Sequence, residues 1–306
     1  MLGILLGSVM AASFAANSII TRRGVIRAGS SFVSIVAIST GPIFFLIVAT
    51  VSGEVFNLAH FNWKTYLFFS LAGIINFSLG RTVAYRAVQL VGSTRANIVI
   101  GTYFIVSISL AAIFLGEPLT PFIGVAMVMV LFGPALTTLK EPTASRDARP
   151  MGTVPGRHVD RRTLRMGMLL GAGAAVFWGT SPIFIKLAFQ NGGTPLAGSL
   201  IAYSAAVLAL TPSLLNRKTR AELFNADRQS YRLAISSGLT SNLAQMARYL
   251  ALAYAPVMTV SLMERTTPLW GLVFAFLINR QYESFSRWVL LGNSMVLMGT
   301  LVAMVG

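Results

Sequence analysis

Runs of about 20 mostly apolar residues follow one another through this chain, and that is the length a helix needs to cross a bilayer. They fall at roughly 2–20, 31–52, 66–88, 95–115 and 119–138, and again at 166–188, 194–215, 230–254, 257–279 and 287–305. Ten such runs use up most of the 306 residues. The breaks between them carry turn chemistry: Gly53, Gly92, Gly116 to Pro118, Gly192 to Gly193, and Ala255-Pro256. The short gaps after the third and eighth runs predict tight helical hairpins. Barrel strands would be shorter and alternate in polarity. Composition agrees with the spans. The chain is 55% hydrophobic and only 11% charged, with mean hydropathy +0.72, whereas soluble domains carry about 25% charged residues. That excludes a soluble fold of this size and a disordered chain. With no cysteine, disulfides, thiolate zinc sites and cysteine nucleophiles are excluded as well.

The two sets of five runs align at a constant offset of 164 residues. Gly3-Ile-Leu-Leu-Gly7 falls on Gly167-Met-Leu-Leu-Gly171, Arg22 on Lys186, Gly29 on Gly193, and Tyr85 and Ala87 on Tyr249 and Ala251. After a slip of two residues, Glu117 falls on Glu283 and Gly133 on Gly299. The first run therefore matches the internal sixth one, which argues against a cleaved signal peptide. Its lack of a basic leading segment argues the same way. The expected fold is all-α and integral to the membrane, with ten transmembrane helices as two inverted five-helix repeats. The first repeat is 1–138 and the second 166–306, joined by a basic linker at 139–165. The linker holds Lys140, Arg146, Arg149, Arg157, Arg161, Arg162 and Arg165 beside Glu141, Asp147 and Asp160. Pro142, Pro150 and Pro155 argue against a helix there.

The chain carries net charge +15, from 24 Lys and Arg against 9 Asp and Glu. Placed on the spans, this excess is a topology signal rather than a nucleic-acid surface. Basic residues crowd one side of the membrane: Arg22, Arg23 and Arg27, Arg86 and Arg95, the linker, the segment from Arg217 to Arg232, and Arg280 and Arg287. The other loops hold only Lys64 and Lys186. The rich side, and so the linker, is expected to be cytoplasmic, with both termini outside.

Arg81, Arg248, Glu264 and Arg265 are the charges that fall within spans, where each costs about 2.5–3.5 kcal/mol on insertion scales. Arg248 and Glu264 lie equally far from Pro256, so an ion pair in the hairpin is feasible. Such a pair reads either as a structural clasp or as a substrate or proton site. Arg265 points about 100° away from Glu264 and needs its own partner or a wet cavity. Arg81 reads as snorkelling toward the basic side, and Glu117 as a solvated loop residue. Gly238, Asn242, Gln245 and Tyr249 share one helical face, as do Glu264, Thr267 and Gly271. Ser181-Pro182, and Pro268 in the ninth span, are expected to break helices near mid-membrane. Asn17 matches Ser181 in the repeat. These polar groups suit a substrate path, or hydrogen bonding between helices. No cofactor or metal is expected. There is no Walker loop, and the only histidines, His60 and His158, lie far apart.

Five-span halves, Trp178-Gly179 followed by Lys186, Leu115-Gly116-Glu117-Pro118-Leu119, and the closing Gly133 and Gly299 resemble EamA-type transporters of the drug/metabolite transporter superfamily. The chain departs from that pattern at Gln281-Tyr282-Glu283, Ala15-Ala16 and Tyr103-Phe104. The resemblance implies a multi-pass carrier in the plasma (inner) membrane that moves small metabolites, often outward, and is not an enzyme. The resulting expectation is a secondary transporter of a small polar solute, such as an amino acid or drug-like compound. It would work by alternating access, with proton coupling open, as a monomer or homodimer in the lipid bilayer. The alternatives are a passive channel and a lipid-handling protein. The cavity is expected between the third, fourth, eighth and ninth spans. Glu264 would serve as the coupling or ammonium-binding residue, and Arg248 or Arg265 as its partner or a carboxylate binder. Asn242, Gln245, Tyr249, Thr267 and Trp270 would shape the pocket, with Trp178, Ser181, Asn17 and Arg81 contributing.

Overall fold

The computed structural model describes residues 2–140, 160–278 and 287–305, and all regular structure among them is helical. The α-helices are α1 (Leu2–Ala28), α2 (Ser30–Val51), α3 (Trp63–Gly73), α4 (Arg81–Val91), α5 (Ser93–Ile100), α6 (Tyr103–Leu115) and α7 (Pro121–Lys140). In the second half they are α8 (Arg161–Gln190), α9 (Pro195–Leu210), α10 (Arg217–Phe224), α11 (Arg228–Tyr254), α12 (Val257–Glu264), α13 (Thr267–Ile278) and α14 (Arg287–Val305). A π-helical turn, Ile74–Gly80, joins α3 to α4. Gly92 (φ 84°) separates α4 from α5 and Gly116 (φ 66°) ends α6. Both have a positive φ, which glycine adopts without steric cost.

Among the described residues, six helical stretches are long and apolar enough to cross a membrane: Leu2–Ala28, Ser30–Val51, Trp63–Val91, Arg95–Leu115, Arg161–Gln190 and Pro195–Leu215. α7 and α14 offer the shorter apolar stretches Pro121–Gly133 and Leu291–Ala303. The other two expected spans fall short for identifiable reasons. α11 is long but carries Ser236, Ser237, Thr240, Ser241, Asn242, Gln245 and Arg248. The ninth run is interrupted at Arg265-Thr266 into α12 and α13.

Two compact units cut across the sequence repeats. The first is Met1–Leu79 with Ser181–Ala255, and the second is Gly80–Thr180 with Pro256–Gly306. In the first, α1 lies along α11, α2 packs on α9 and α11, and α3 packs on α9. Its centre is aromatic: Tyr203 lies 4.3 Å from Phe77 and 5.0 Å from Phe45, ring to ring. In the second, α7 lies along α14 and α6 along α12. One of its core clusters is made mostly of small residues: Ala84, Ala87, Ala96 and Ala174 with Val91 and Ile100. Large apolar residues also stand outside (Ile113 is 72% exposed and Ile43 66%), unlike on a soluble surface. Lipid is as apolar as leucine, so membrane helices associate by close packing rather than by hiding grease.

Matched glycines make that packing. A Cβ on Gly133 would stand 2.5 Å from Gly292 O, and one on Gly299 2.9 Å from Met129 Cβ, so both glycines set the α7–α14 contact. Likewise Gly3 abuts Ala255 and Gly167 abuts Val91. These contacts are related by the same offset at both ends, so the repeat read in sequence reappears in the packing.

The structure corrects several local expectations. Pro182 lies inside a continuous α8 and does not break it. Pro268, by contrast, stands in the first turn of α13 directly after the interruption at Arg265-Thr266, so the ninth run does break beside it. Arg22, Arg23 and Arg27 belong to α1, and Arg161, Arg162 and Arg165 to the start of α8, so these charges are helical rather than loop residues. Arg27 pairs with Asp227, which caps α11 by accepting from Ser230 N. The Arg27 hydrogen bond, then Ser230, hold the Asp227 carboxyl well below the usual carboxylate range. Both partners are exposed, so water screens the pair. Arg146, Arg149, Arg157, Pro142, Pro150, Pro155, Glu141, Asp147, His158, Arg280 and Gln281-Tyr282-Glu283 lie outside the described residues.

Glu117 is not a freely solvated loop residue. Its carboxylate accepts from Val257 N (2.6 Å) and Met258 N (2.9 Å) and so caps α12. Glu54 caps α9 in the same way, accepting from Leu196 N (2.8 Å) and Ala197 N (3.1 Å). The first turn of a helix has N–H groups without intrahelical partners, and a carboxylate there also meets the positive end of the helix dipole. Glu117→Ala is expected to lower stability by about 1–2 kcal/mol, with Glu117→Gln intermediate. Apparent melting temperatures of detergent-purified variants check the order.

Candidate functional site

In the first unit, α11 carries a polar face through an otherwise apolar bundle. Ser237, Ser241, Asn242, Gln245, Arg248 and Tyr249 are all buried. Packing against α1 and α2 forces the side of α11 that holds them inward. Asn17 Oδ1, on α1, accepts from Thr21 Oγ1 (3.0 Å), Ser237 Oγ (3.2 Å) and Thr240 Oγ1 (3.2 Å). Asn242 Nδ2 donates to Thr40 Oγ1 on α2 (3.0 Å). Gly238 lets α2 approach, since a Cβ there would stand 2.4 Å from Thr40 Oγ1. Asn242 Oδ1 and Gln245 Oε1 are buried without a hydrogen-bond partner among the described residues. Buried polar atoms are normally paired, so these two acceptors are equipped to receive donors from a polar ligand. Tyr249 stacks on Phe69 (6.2 Å, 29°), and Ser181 Oγ donates to Ala72 O (3.3 Å).

Lys186, counted in sequence as a loop charge, sits within α8. Its Nζ donates to Leu252 O (2.6 Å) and Ala255 O (3.0 Å), closing the carboxyl end of α11. A separate cavity of about 290 Å³ between α3 and α9, lined by Leu58, Tyr66, Ser70, Leu200, Ser204 and Leu208, is mostly apolar and contains none of the expected site residues.

The second unit gathers another set. Arg265 lies with its guanidinium carbon 5.5 Å from the Tyr103 ring centre and 5.4 Å from that of Phe104. Trp178 meets Tyr103 edge to face at 6.3 Å. Gly179 permits this approach of α8 to α6, because a Cβ there would lie 2.6 Å from Tyr103 O. Glu264 ends α12 and accepts from Thr267 Oγ1 through its main-chain oxygen (2.6 Å). Trp270 packs on Phe274, with ring centres 6.4 Å apart. Arg81 begins α4 and is half-buried.

The expected residues thus divide between the units. Asn17, Ser181, Asn242, Gln245, Arg248 and Tyr249 belong to the first, and Arg81, Trp178, Glu264, Arg265, Thr267 and Trp270 to the second. Sequence reasoning missed Thr40, the capping roles of Glu54, Glu117 and Lys186, and Tyr103 with Phe104 as partners of Arg265. For the last, a signal was available: Gly101-Thr102 and Arg265-Thr266 stand at the repeat offset. Among the described residues, no cluster of His, Asp and Glu has the makings of a metal site.

Comparison with known proteins gives the broader context. One solved crystal structure superposes with TM-score 0.75 over 99% of this chain and 96% of its own, at 14% identity, which is a likeness of fold. No curated protein matches in sequence. The model of the EamA-like transporter family matches residues 1–139 and again 165–305, which is nearly the whole chain in two repeats. The chain belongs to the EamA-like transporter family, and with it to the membrane transporters of the drug/metabolite transporter superfamily.

Proposed function

We propose that this protein is a secondary transporter of a small polar metabolite, exporting an amino acid or drug-like solute across the plasma membrane by alternating access. The observation that carries this is the buried polar face of α11, with two amide oxygens unpartnered among the described residues, in a bundle that otherwise shows lipid large apolar side chains. Polar acceptors left unpaired in such surroundings are costly unless they serve a polar cargo. The topology we propose is ten transmembrane helices in two inverted repeats, 1–138 and 166–306. The 139–165 linker lies in the cytoplasm and the termini outside.

Asn242, Gln245 and Tyr249 contact the solute, with Thr267, Trp270, Trp178, Ser181, Asn17 and Arg81 shaping or supporting its path. Glu264 takes up and releases the coupling proton, and Arg248 is a charge of the first unit that takes part in the cycle. Transport of a metabolite panel into proteoliposomes, with and without a pH gradient, is the test. Gradient-driven accumulation is the expected result. Flux that ignores the gradient and shows no trans-stimulation would mean a channel. Exchange of labelled lipid alone would mean a lipid-handling protein. In the same assay Glu264→Gln is expected to flatten the pH profile and lower gradient-driven uptake at least tenfold. An unchanged profile removes Glu264 from coupling.

A further inference from the structure

Two spans of the second unit are interrupted at corresponding places. α5 stops at Ile100 and α6 starts at Tyr103, while α12 stops at Glu264 and α13 starts at Thr267. The breaks, Gly101-Thr102 and Arg265-Thr266, are related by the repeat offset and share a local design. Thr102 Oγ1 donates to Val99 O (2.8 Å) and Thr266 Oγ1 to Met263 O (2.7 Å), each three residues back. Interrupted helices at matching places in two repeats are a recurrent way of building ion and substrate sites within membranes.

Arg265 spans from one break to the other. A Cβ on Gly101 would stand 3.2 Å from Arg265 Nη2, so the glycine leaves room for the guanidinium. Tyr103 and Phe104 present their rings to it. Among the described residues its Nε is buried without a hydrogen-bond partner and the side chain makes no ion pair. Cation–π contact with the two rings steadies the guanidinium but supplies no negative charge to offset its own. The cation is therefore held in place but not neutralised. The Nε edge of a guanidinium is one side of the planar fork that binds carboxylates bidentately. The rings of Tyr103, Phe104 and Trp178 supply apolar walls for an organic body.

We propose that Arg265, set between the paired helix breaks, binds the carboxylate of an organic anion, which is its counter-ion and part of the transported solute. The second half of this statement rests on the transporter reading above. The test uses protein in phosphatidylcholine nanodiscs and follows apparent Tm with phenylacetate and acetate against the neutral phenylacetamide and acetamide. Phenylacetate is expected to raise Tm by several degrees, acetate less, and the amides not at all, since only a ligand of the folded state stabilises it. Arg265→Gln is expected to weaken phenylacetate binding at least tenfold, while Arg265→Lys keeps part of it. The unliganded Tm of each variant shows that it folds.

Amides as effective as carboxylates, a Gln variant that binds normally, or no shift with any carboxylate would overturn the anion site. Counterflow of the metabolite panel, run on the same preparations, separates the two readings. Flux with no carboxylate binding leaves the transporter standing and removes the anion site. Carboxylate binding without flux of any solute leaves the anion site and removes the transporter.

Discussion

Gly73→Ala is expected to abolish a stable fold. The Cβ would lie 2.0 Å from Ala202 O and 2.7 Å from Ala202 Cα, both backbone atoms of α9 that cannot rotate away. α3 and α9 meet here at a separation that only hydrogen permits. Nearby, Gly198 lies under the Phe69 ring, where a Cβ would stand 2.2 Å from Cζ, so the helices have no slack on the other side of the contact. Relief requires α3 to move off α9, which would undo the Ser181 and Phe69 contacts described above. Overpacking a well-filled core typically costs about 1–3 kcal/mol, and a clash with main chain belongs at or beyond the upper end. In a membrane bundle held by close packing this removes the main attraction between the two helices. Fluorescence-detected gel filtration after a heat ramp should show loss of the monodisperse peak for Gly73→Ala. Gly271→Ala and Gly124→Ala, where a Cβ meets nothing within 4 Å, should behave like the parent.

Lys186→Met should release the carboxyl end of α11. The ammonium donates to Leu252 O and Ala255 O, two of the terminal carbonyls that the helix cannot pair internally. It also places positive charge at the negative end of the helix dipole. Hydrogen bonds from a charged donor are worth about 1.5–3 kcal/mol, and orphaned carbonyls add a desolvation cost. A loss of about 2–4 kcal/mol is therefore expected. Faster amide exchange confined to residues 249–257 would separate fraying of α11 from global unfolding. Lys186→Arg keeps the charge and should recover much of the protection. If Met and Arg variants exchange alike, the charge is not what holds this helix end.

Much of the architecture was legible in the chain because the bilayer imposes a length and a polarity on each helix. Six spans and most helix positions followed from apolar runs, turns from Gly53, Gly92, Gly116 and Gly192, and the duplication from Gly3, Gly7, Gly133 and their partners at Gly167, Gly171 and Gly299. The polar face of α11 was legible too, since residues 238, 242, 245 and 249 recur at helical spacing. Illegible was whatever depends on a second segment. A lysine near a span end looks like a loop charge until two carbonyls of another helix are found beside it. Glu117 looks solvated until the first turn of α12 is seen to need acceptors. Pro182 looks like a breaker, yet α8 continues through it. The counter-environment of Arg265 comes from α6, far away in sequence.

By itself, then, the sequence determined a multi-pass helical membrane protein in two repeats, because hydropathy and repeat spacing are properties of single segments. Tertiary structure alone decided the partners: the two compact units that cut across the repeats, the carboxylates and the lysine that close helix ends, and Arg265 lying between matched breaks against Tyr103 and Phe104. Hydrogen bonds, cation–π contacts and glycine-sized gaps act over a few ångströms between residues far apart in the chain. They exist only once the helices have packed.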